Sequence, residues 1–97
     1  MATGTFFRGG PSLTPRLREV RIDTVTGLVQ TTHGVSVYSR PDGLNRFGGV
    51  FEVGFLPTEL RIIQRGRDPF HYEIVPAIPM IFEEYEAALS LVSLTAV

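Results

Sequence analysis

The sequence contains no cysteine, no lysine and no tryptophan. Without cysteine the chain forms no disulfide, uses no thiolate in catalysis and builds no cysteine-ligated zinc site. It also lacks a hydrophobic run of the roughly 20 residues that a membrane-spanning helix needs. Its first residues show no basic-then-apolar secretion signal. We therefore expect a protein that works in a cytoplasm, either of the cell that makes it or of a target cell, with no membrane partner.

Composition and charge fit one small globular domain over residues 1–97. The chain is 43% hydrophobic and 20% charged, and its net charge of −1 argues against a dedicated nucleic-acid binder. All nine basic residues are arginines, and they are unevenly distributed. Residues 1–50 carry six arginines and three acidic residues, whereas residues 51–97 carry three arginines and seven acidic residues. A basic first half suits an anionic ligand.

The seven prolines and ten glycines divide the chain into short segments, which favours strands over long helices. Pro76 and Pro79 are expected to stop strand pairing, because proline donates no backbone hydrogen bond. From Ile81 onward the apolar spacing becomes helical and acidic residues crowd the first turns, which predicts one C-terminal helix. The segments together predict an α+β fold. Alternating, β-branched and aromatic residues predict strands over residues 3–8, 18–22, 34–39, 49–55, 60–64 and 70–75.

Motifs for metal and phosphate binding are missing from the sequence. No glycine-rich phosphate-binding loop occurs, and the two histidines, His33 and His71, are too far apart for the spacing of a zinc hydrolase. We therefore predict no metal site.

The first segment of chemical interest is FFRGG at residues 6–10, where Arg8 ends a strand beside paired glycines. Such an arginine can present its guanidinium to a phosphate or a ribose while the bare glycine backbone approaches a flat ring. The alternative is an edge-strand arginine before a turn, which is the commoner situation for an exposed arginine.

The second segment is HGVSVY at residues 33–38. Val35 and Val37 point toward a core, so Ser36 and Tyr38 share the opposite face of the strand. Ser36 is placed either to brace a ligand or an arginine, or simply to face solvent. It lacks the G-x-S-x-G elbow of a nucleophilic serine, and we do not interpret it as a nucleophile.

The third segment is FHYEIVP at residues 70–76, in which His71 and Glu73 share one face of a strand. An imidazole beside a carboxylate suits the stabilisation of a developing cation. The alternative is a partly exposed polar strand face with no chemical role.

The order of these segments resembles that of small cytoplasmic toxins exported by type VI secretion, which have an ADP-ribosyltransferase-like fold. The likeness runs from about residue 5 to the final helix and implies a compact split β-sheet with one C-terminal helix. Its most specific string is HYEIVPAIPM at residues 71–80. The other strings, in matching order, are FFRG at 6–9, GVSVY at 34–38 and LPTELRI at 56–62.

The resemblance implies NAD as the cofactor, held where the split sheet clamps the nicotinamide ribose. By this likeness Arg8 holds NAD, and Gly9 offers backbone groups to the nicotinamide amide. Ser36 matches the serine that supports the site. His71 matches the histidine of a third motif, with Tyr72 beside it as a further contact to NAD.

The catalytic residues implied are Ser36, His71 and Glu73, since Glu73 is the only strand carboxylate near the third motif. The reaction is the loss of nicotinamide through an oxocarbenium-like state, followed by transfer to an unknown intracellular target or to water. The implied protein partner is a cognate immunity protein that covers the NAD cleft. The alternative is a non-catalytic α+β protein-interaction module on the same scaffold, because a fold does not determine a function.

Overall fold

The computed structural model describes residues 4–97, which form one six-stranded antiparallel sheet with one α-helix and two short 3₁₀ helices. The α-helix, α1, is Phe82–Leu89, and the 3₁₀ helices are Leu17–Glu19 and Leu44–Phe47. The strand order across the sheet is β4-β5-β2-β1-β3-β6. The strands are β1 Phe6–Gly9, β2 Val35–Tyr38, β3 Val50–Val53, β4 Leu60–Gln64, β5 His71–Pro76 and β6 Leu94–Ala96.

The sheet is weakly joined at its centre. β1 and β2 pair only through Phe7 and Tyr38, whereas β2 pairs with β5, and β1 with β3, over four residues each. On the side of this pair that carries Arg8 and Ser36, no further pairing joins β1 to β2 among residues 4–97. The sheet therefore divides there into two three-stranded halves, β4-β5-β2 and β1-β3-β6.

The core lies between one face of the sheet and α1. Val35, Val37 and Ile74 are fully buried on that face, and Tyr85 of α1 is fully buried against them. Burial of each such side chain contributes about 1.5–3 kcal/mol. The Tyr85 hydroxyl reaches the end of the β2–β5 ladder and ties α1 to both strands.

The predicted α+β class with a helix near the C-terminus is confirmed. The strands predicted over 34–39, 49–55, 60–64 and 70–75 correspond to β2, β3, β4 and β5, each within two residues at either end. The strand predicted over 3–8 corresponds to β1, although Thr3 lies outside the described residues. The helix predicted from Ile81 begins one residue later, and Ile81 is the extended residue that precedes it.

Two expectations from the sequence hold only in part. Of the strand predicted over 18–22, residues 18 and 19 lie in the first 3₁₀ helix, because the Glu19 carboxylate accepts the backbone N–H of Arg16 and closes a turn there. Only Ile22 is paired as in a strand, through a single bridge to Val29. β5 ends at Pro76 as expected, but Pro76 is itself paired, opposite Leu60, at a terminal position where its missing N–H breaks no ladder.

The helical content of the described residues is low. α1 spans eight residues, and none of the helices formed by residues 4–97 has the length and apolarity needed to cross a membrane. Glu83 and Glu84 occupy its first turn, where negative charge complements the helix dipole.

Candidate functional site

A cleft of about 440 Å³ opens where the two halves of the sheet separate. Its walls are β1 and β2, the loop that follows β1, and both 3₁₀ helices. The volume falls within the range of about 300–1,000 Å³ that is usual for small-molecule sites. The lining residues are Arg8, Gly9, Ser12, Thr14, Arg16, Glu19, Ser36, Tyr38, Leu44 and Phe47.

Arg8 bridges the gap between the two halves of the sheet. Its Nη1 donates to the carbonyl oxygen of Ser36 at 2.7 Å, and its Nε donates to the carbonyl oxygen of Ser12 at 3.0 Å. A guanidinium has five N–H donors, so about three remain for a ligand. The backbone hydrogen bonds hold the side chain in place, and they present the remaining donors to the cleft.

The charge of Arg8 is not neutralised by a close carboxylate. None of the ion pairs formed within residues 4–97 involves Arg8. Burial lowers the pKa of the Arg8 guanidinium, and the negative charge of Glu19 opposes that effect. A half-buried cation with free N–H donors is a favourable partner for a phosphate or a carboxylate of a ligand.

An aromatic ring, that of Phe47, lines the same cleft. Phe47 lies in the second 3₁₀ helix and is 53% exposed, whereas Leu44 one turn earlier is buried. The helix packs so closely on β1 that a Cβ at Gly9 would overlap the Phe47 ring. Gly9 therefore permits the close approach that brings this ring to the cleft that Arg8 also lines. The Arg46 guanidinium lies over one face of the ring, 4.6 Å from its centroid, so a ligand with a planar ring and an anionic group could contact only the rest of the Phe47 ring beside Arg8.

Ser36 is hydrogen-bonded to His71 across the β2–β5 pair. The Ser36 Oγ and His71 Nε2 atoms are 2.9 Å apart, and His71 Nδ1 lies 2.8 Å from the carbonyl oxygen of Arg65. A carbonyl oxygen only accepts, so Nδ1 carries the hydrogen of this bond. In the neutral imidazole Nε2 then accepts from the Ser36 hydroxyl. His71 does not itself line the cleft, and it acts there only through Ser36.

Glu73 lies outside the cleft, and both of its carboxylate oxygens are hydrogen-bonded within the protein. It is 4% exposed, and its two carboxylate oxygens each lie 3.0 Å from Arg65 Nε. Oε1 also accepts the backbone N–H of Gly34 at 2.9 Å, and Oε2 lies 3.6 Å from His71 Nε2. The predicted placement of His71 and Glu73 on one face is confirmed. In this arrangement, however, Glu73 stabilises the end of the β2–β5 pair and does not face a ligand.

Tyr72 also lies away from the cleft. It pairs with Val37 in the β2–β5 register and packs edge-on against Phe6, with ring centroids 4.8 Å apart. Of the residues predicted to bind NAD, Arg8, Gly9 and Ser36 line the cleft and Tyr72 does not.

Three charged or aromatic lining residues are not singled out by the sequence patterns: Arg16, Glu19 and Phe47. They belong to the short 3₁₀ segments, which are too brief for a periodic pattern. The spacing of Arg16 and Glu19 does carry a signal, because a glutamate three residues after a helix start reaches back to the backbone N–H there.

Within residues 4–97, no group of three or more histidine, aspartate or glutamate side chains is placed to hold a metal ion. Comparison of the chain with protein-family models, with curated proteins and with solved structures finds no match.

Proposed function

We propose that this chain binds NAD in the cleft between β1 and β2 and cleaves the bond between nicotinamide and ribose, as an ADP-ribosyltransferase-like enzyme. The observation that carries the proposal is the position of Arg8. It is a half-buried cation without a carboxylate partner among residues 4–97, held at the point where the sheet divides. The serine expected in the same site, Ser36, lies directly across the gap.

The cleft residues fit the chemical groups of NAD. Arg8 and Arg16 suit the pyrophosphate, and the half-exposed ring of Phe47, which has the Arg46 guanidinium over one face, suits contact with a planar base or nicotinamide. Ser36 Oγ, oriented by His71, is available as an acceptor for a ribose hydroxyl. NAD is consumed in the proposed reaction and is therefore a substrate.

The proposal includes the biological role implied by the resemblance, that of a cytotoxin that modifies an unknown intracellular target and is neutralised by an immunity protein covering this cleft. Growth of cells on induction of the chain tests this role. Arrest by the natural chain and growth with Arg8→Ala is the expected result, and normal growth with both would count against it.

Calorimetric titration with NAD tests the proposed activity. We expect saturable binding by the natural chain and an affinity lowered by about 10- to 100-fold in Arg8→Ala, because hydrogen bonds to a charged group contribute about 1.5–3 kcal/mol. Arg18→Ala is the matched control: Arg18 lies in the first 3₁₀ helix but does not line the cleft, so its affinity should stay within about twofold.

Because Arg8 also bridges β1 and β2, Arg8→Lys provides a second variant that keeps the charge and loses the planar fork. We expect it to fold as the natural chain does, by circular dichroism, and still to bind NAD more weakly. An absence of NAD binding by the natural chain, or equal binding by the natural chain and both variants, would remove the proposal.

A second candidate function is a non-catalytic protein-interaction module on the same scaffold. One observation favours it: Glu73 is the strand carboxylate expected to be catalytic, and it forms an ion pair with Arg65 outside the cleft. NAD binding that depends on Arg8, accompanied by release of nicotinamide, would discriminate against this alternative.

A further inference from the structure

Among residues 4–97, Glu19 is the only acidic side chain that lines the cleft. It ends the first 3₁₀ helix, and its Oε1 accepts the backbone N–H of Arg16 at 2.8 Å. No hydrogen bond from residues 4–97 reaches its second oxygen, Oε2. A carboxylate offers about four acceptor positions on two oxygens. Glu19 is therefore held by one oxygen and free to accept from a ligand with the other.

The two glutamates near the predicted site differ in what they can contact. Glu73 is buried, and both of its oxygens are engaged by Arg65. Glu19 is half-buried and lines the cleft that Arg8 and Ser36 also line. Its charge acts on this cleft, since it is the largest single charge that raises the pKa of Arg8 against the effect of burial. A carboxylate stabilises a developing positive charge only when it faces that charge.

We propose that Glu19, and not Glu73, is the catalytic carboxylate of the cleft, facing the positive charge that develops on the nicotinamide ribose. The inference rests on the proposed NAD-cleaving function and names the residue on which its chemistry depends. The bond between ribose C1′ and the nicotinamide nitrogen breaks, and its electron pair leaves with neutral nicotinamide. The positive charge left on the ribose is opposed by the Glu19 carboxylate. Water, or a nucleophile of the target, then forms the new bond at C1′ and releases one proton to solvent.

The first test measures binding and does not require turnover. NAD⁺ has a cationic nicotinamide ring and NADH a neutral one, so a carboxylate beside that end of the ligand favours the oxidised form. We expect the natural chain to bind NAD⁺ about fivefold more tightly than NADH in calorimetric titrations, the size of one exposed ion pair. Glu19→Gln should lose this preference, because its amide oxygen still accepts the Arg16 N–H but carries no charge.

The second test measures nicotinamide release from NAD in the presence of a cell lysate as the source of acceptor. Removal of one preorganised electrostatic group lowers the rate of a chemical step by about 100- to 1,000-fold. We expect a loss of this size in Glu19→Gln, with the dissociation constant for NAD changed by less than about fivefold. Glu52→Gln is the matched control, because Glu52 is an exposed glutamate of β3 that does not line the cleft. Its rate should equal that of the natural chain.

The outcomes separate this inference from the function on which it rests. Release by Glu19→Gln within about threefold of the natural rate would overturn the role of Glu19 and leave the NAD-cleaving function standing. NAD binding without any nicotinamide release would also overturn it, in favour of a non-catalytic module. A natural chain that does not bind NAD would overturn both. If Glu19→Gln does not fold, Glu19→Asn removes the same charge on a shorter side chain, and an NAD⁺ preference and release rate unchanged in that variant would equally refute the assignment.

Discussion

Removal of the Tyr85 hydroxyl should destabilise the fold, because this one oxygen atom joins α1 to two strands. The hydroxyl accepts the backbone N–H of Val35 at 3.1 Å and donates to the backbone carbonyl of Ile74, and Tyr85 is fully buried. It thereby links α1 to the ends of β2 and β5, next to Ser36. Tyr85→Phe leaves both backbone groups in place without a partner.

The magnitude follows from the two orphaned groups. A buried polar group left unsatisfied costs about 1–3 kcal/mol, so the pair should cost at least about 2 kcal/mol. For a domain of this size each 1 kcal/mol shifts the melting temperature by about 4–8 °C. We expect the melting temperature of Tyr85→Phe to be about 8–16 °C lower than that of the natural chain.

Alkaline pH gives the same residue a second signature. Burial raises the pKa of the Tyr85 hydroxyl well above its usual value near 10. Between the two pKa values the unfolded chain loses this proton and the folded chain keeps it. Stability should therefore fall as pH rises above about 10, by up to about 1.4 kcal/mol per pH unit from this group. Tyr85→Phe lacks the titrating group, so its own alkaline decline should be shallower.

Thermal melting by circular dichroism between neutral pH and about pH 11 measures both effects. Tyr72→Phe is the control, because the Tyr72 hydroxyl has no hydrogen-bond partner within residues 4–97 and its loss should change stability by less than about 0.5 kcal/mol. Equal melting temperatures for Tyr85→Phe and Tyr72→Phe would refute the reasoning, as would identical alkaline slopes for Tyr85→Phe and the natural chain.

Two further predictions concern the end of the β2–β5 pair. Arg65→Met should lower the free energy of unfolding by about 1–3 kcal/mol in denaturant titrations, because it leaves the buried Glu73 carboxylate without its cation; the partial exposure of Arg65 limits the loss. Adding Glu73→Gln to Arg65→Met should recover part of this loss. A double variant less stable than Arg65→Met would contradict the prediction. Gly34→Ala should cost about 1–3 kcal/mol or more, because the added Cβ would overlap the Ile74 carbonyl oxygen and the Tyr85 hydroxyl; an unchanged melting temperature would show that the strands separate there at no cost.

The elements that could be predicted from the sequence are those with their own local pattern. The sequence predicts β4 with its observed bounds because a glycine- and proline-containing turn closes the strand at residues 65–69, and the structure buries Leu60 and Ile62 on one face of it. β6 has only three residues, Leu94–Ala96, and depends on its pairing with β3. So short a strand shows no alternation from which to predict it.

The candidate site was predictable only within single strands. Alternation placed His71 and Glu73 on one face of β5, and the structure agrees. The hydrogen bond between Ser36 and His71 depends instead on the register of β2 against β5, which joins residues 35 positions apart in the chain. A one-residue shift of that register would send Ser36 to the other face. No local pattern reports such a register.

The two halves of the sequence, which differ in charge, also have different roles in the fold. In the part of the chain that the structure describes, every residue that lines the cleft lies between positions 8 and 47, and the charged lining residues are Arg8, Arg16 and Glu19. Two residues of the second half support β2, which forms one wall of the cleft. His71 is hydrogen-bonded to the Ser36 side chain, and the Tyr85 hydroxyl accepts the backbone N–H of Val35 in the same strand. Substitutions of the charged lining residues that keep the fold should therefore alter ligand affinity or turnover. Substitutions at the supporting positions of the second half should act first on stability, and reach the cleft only through β2.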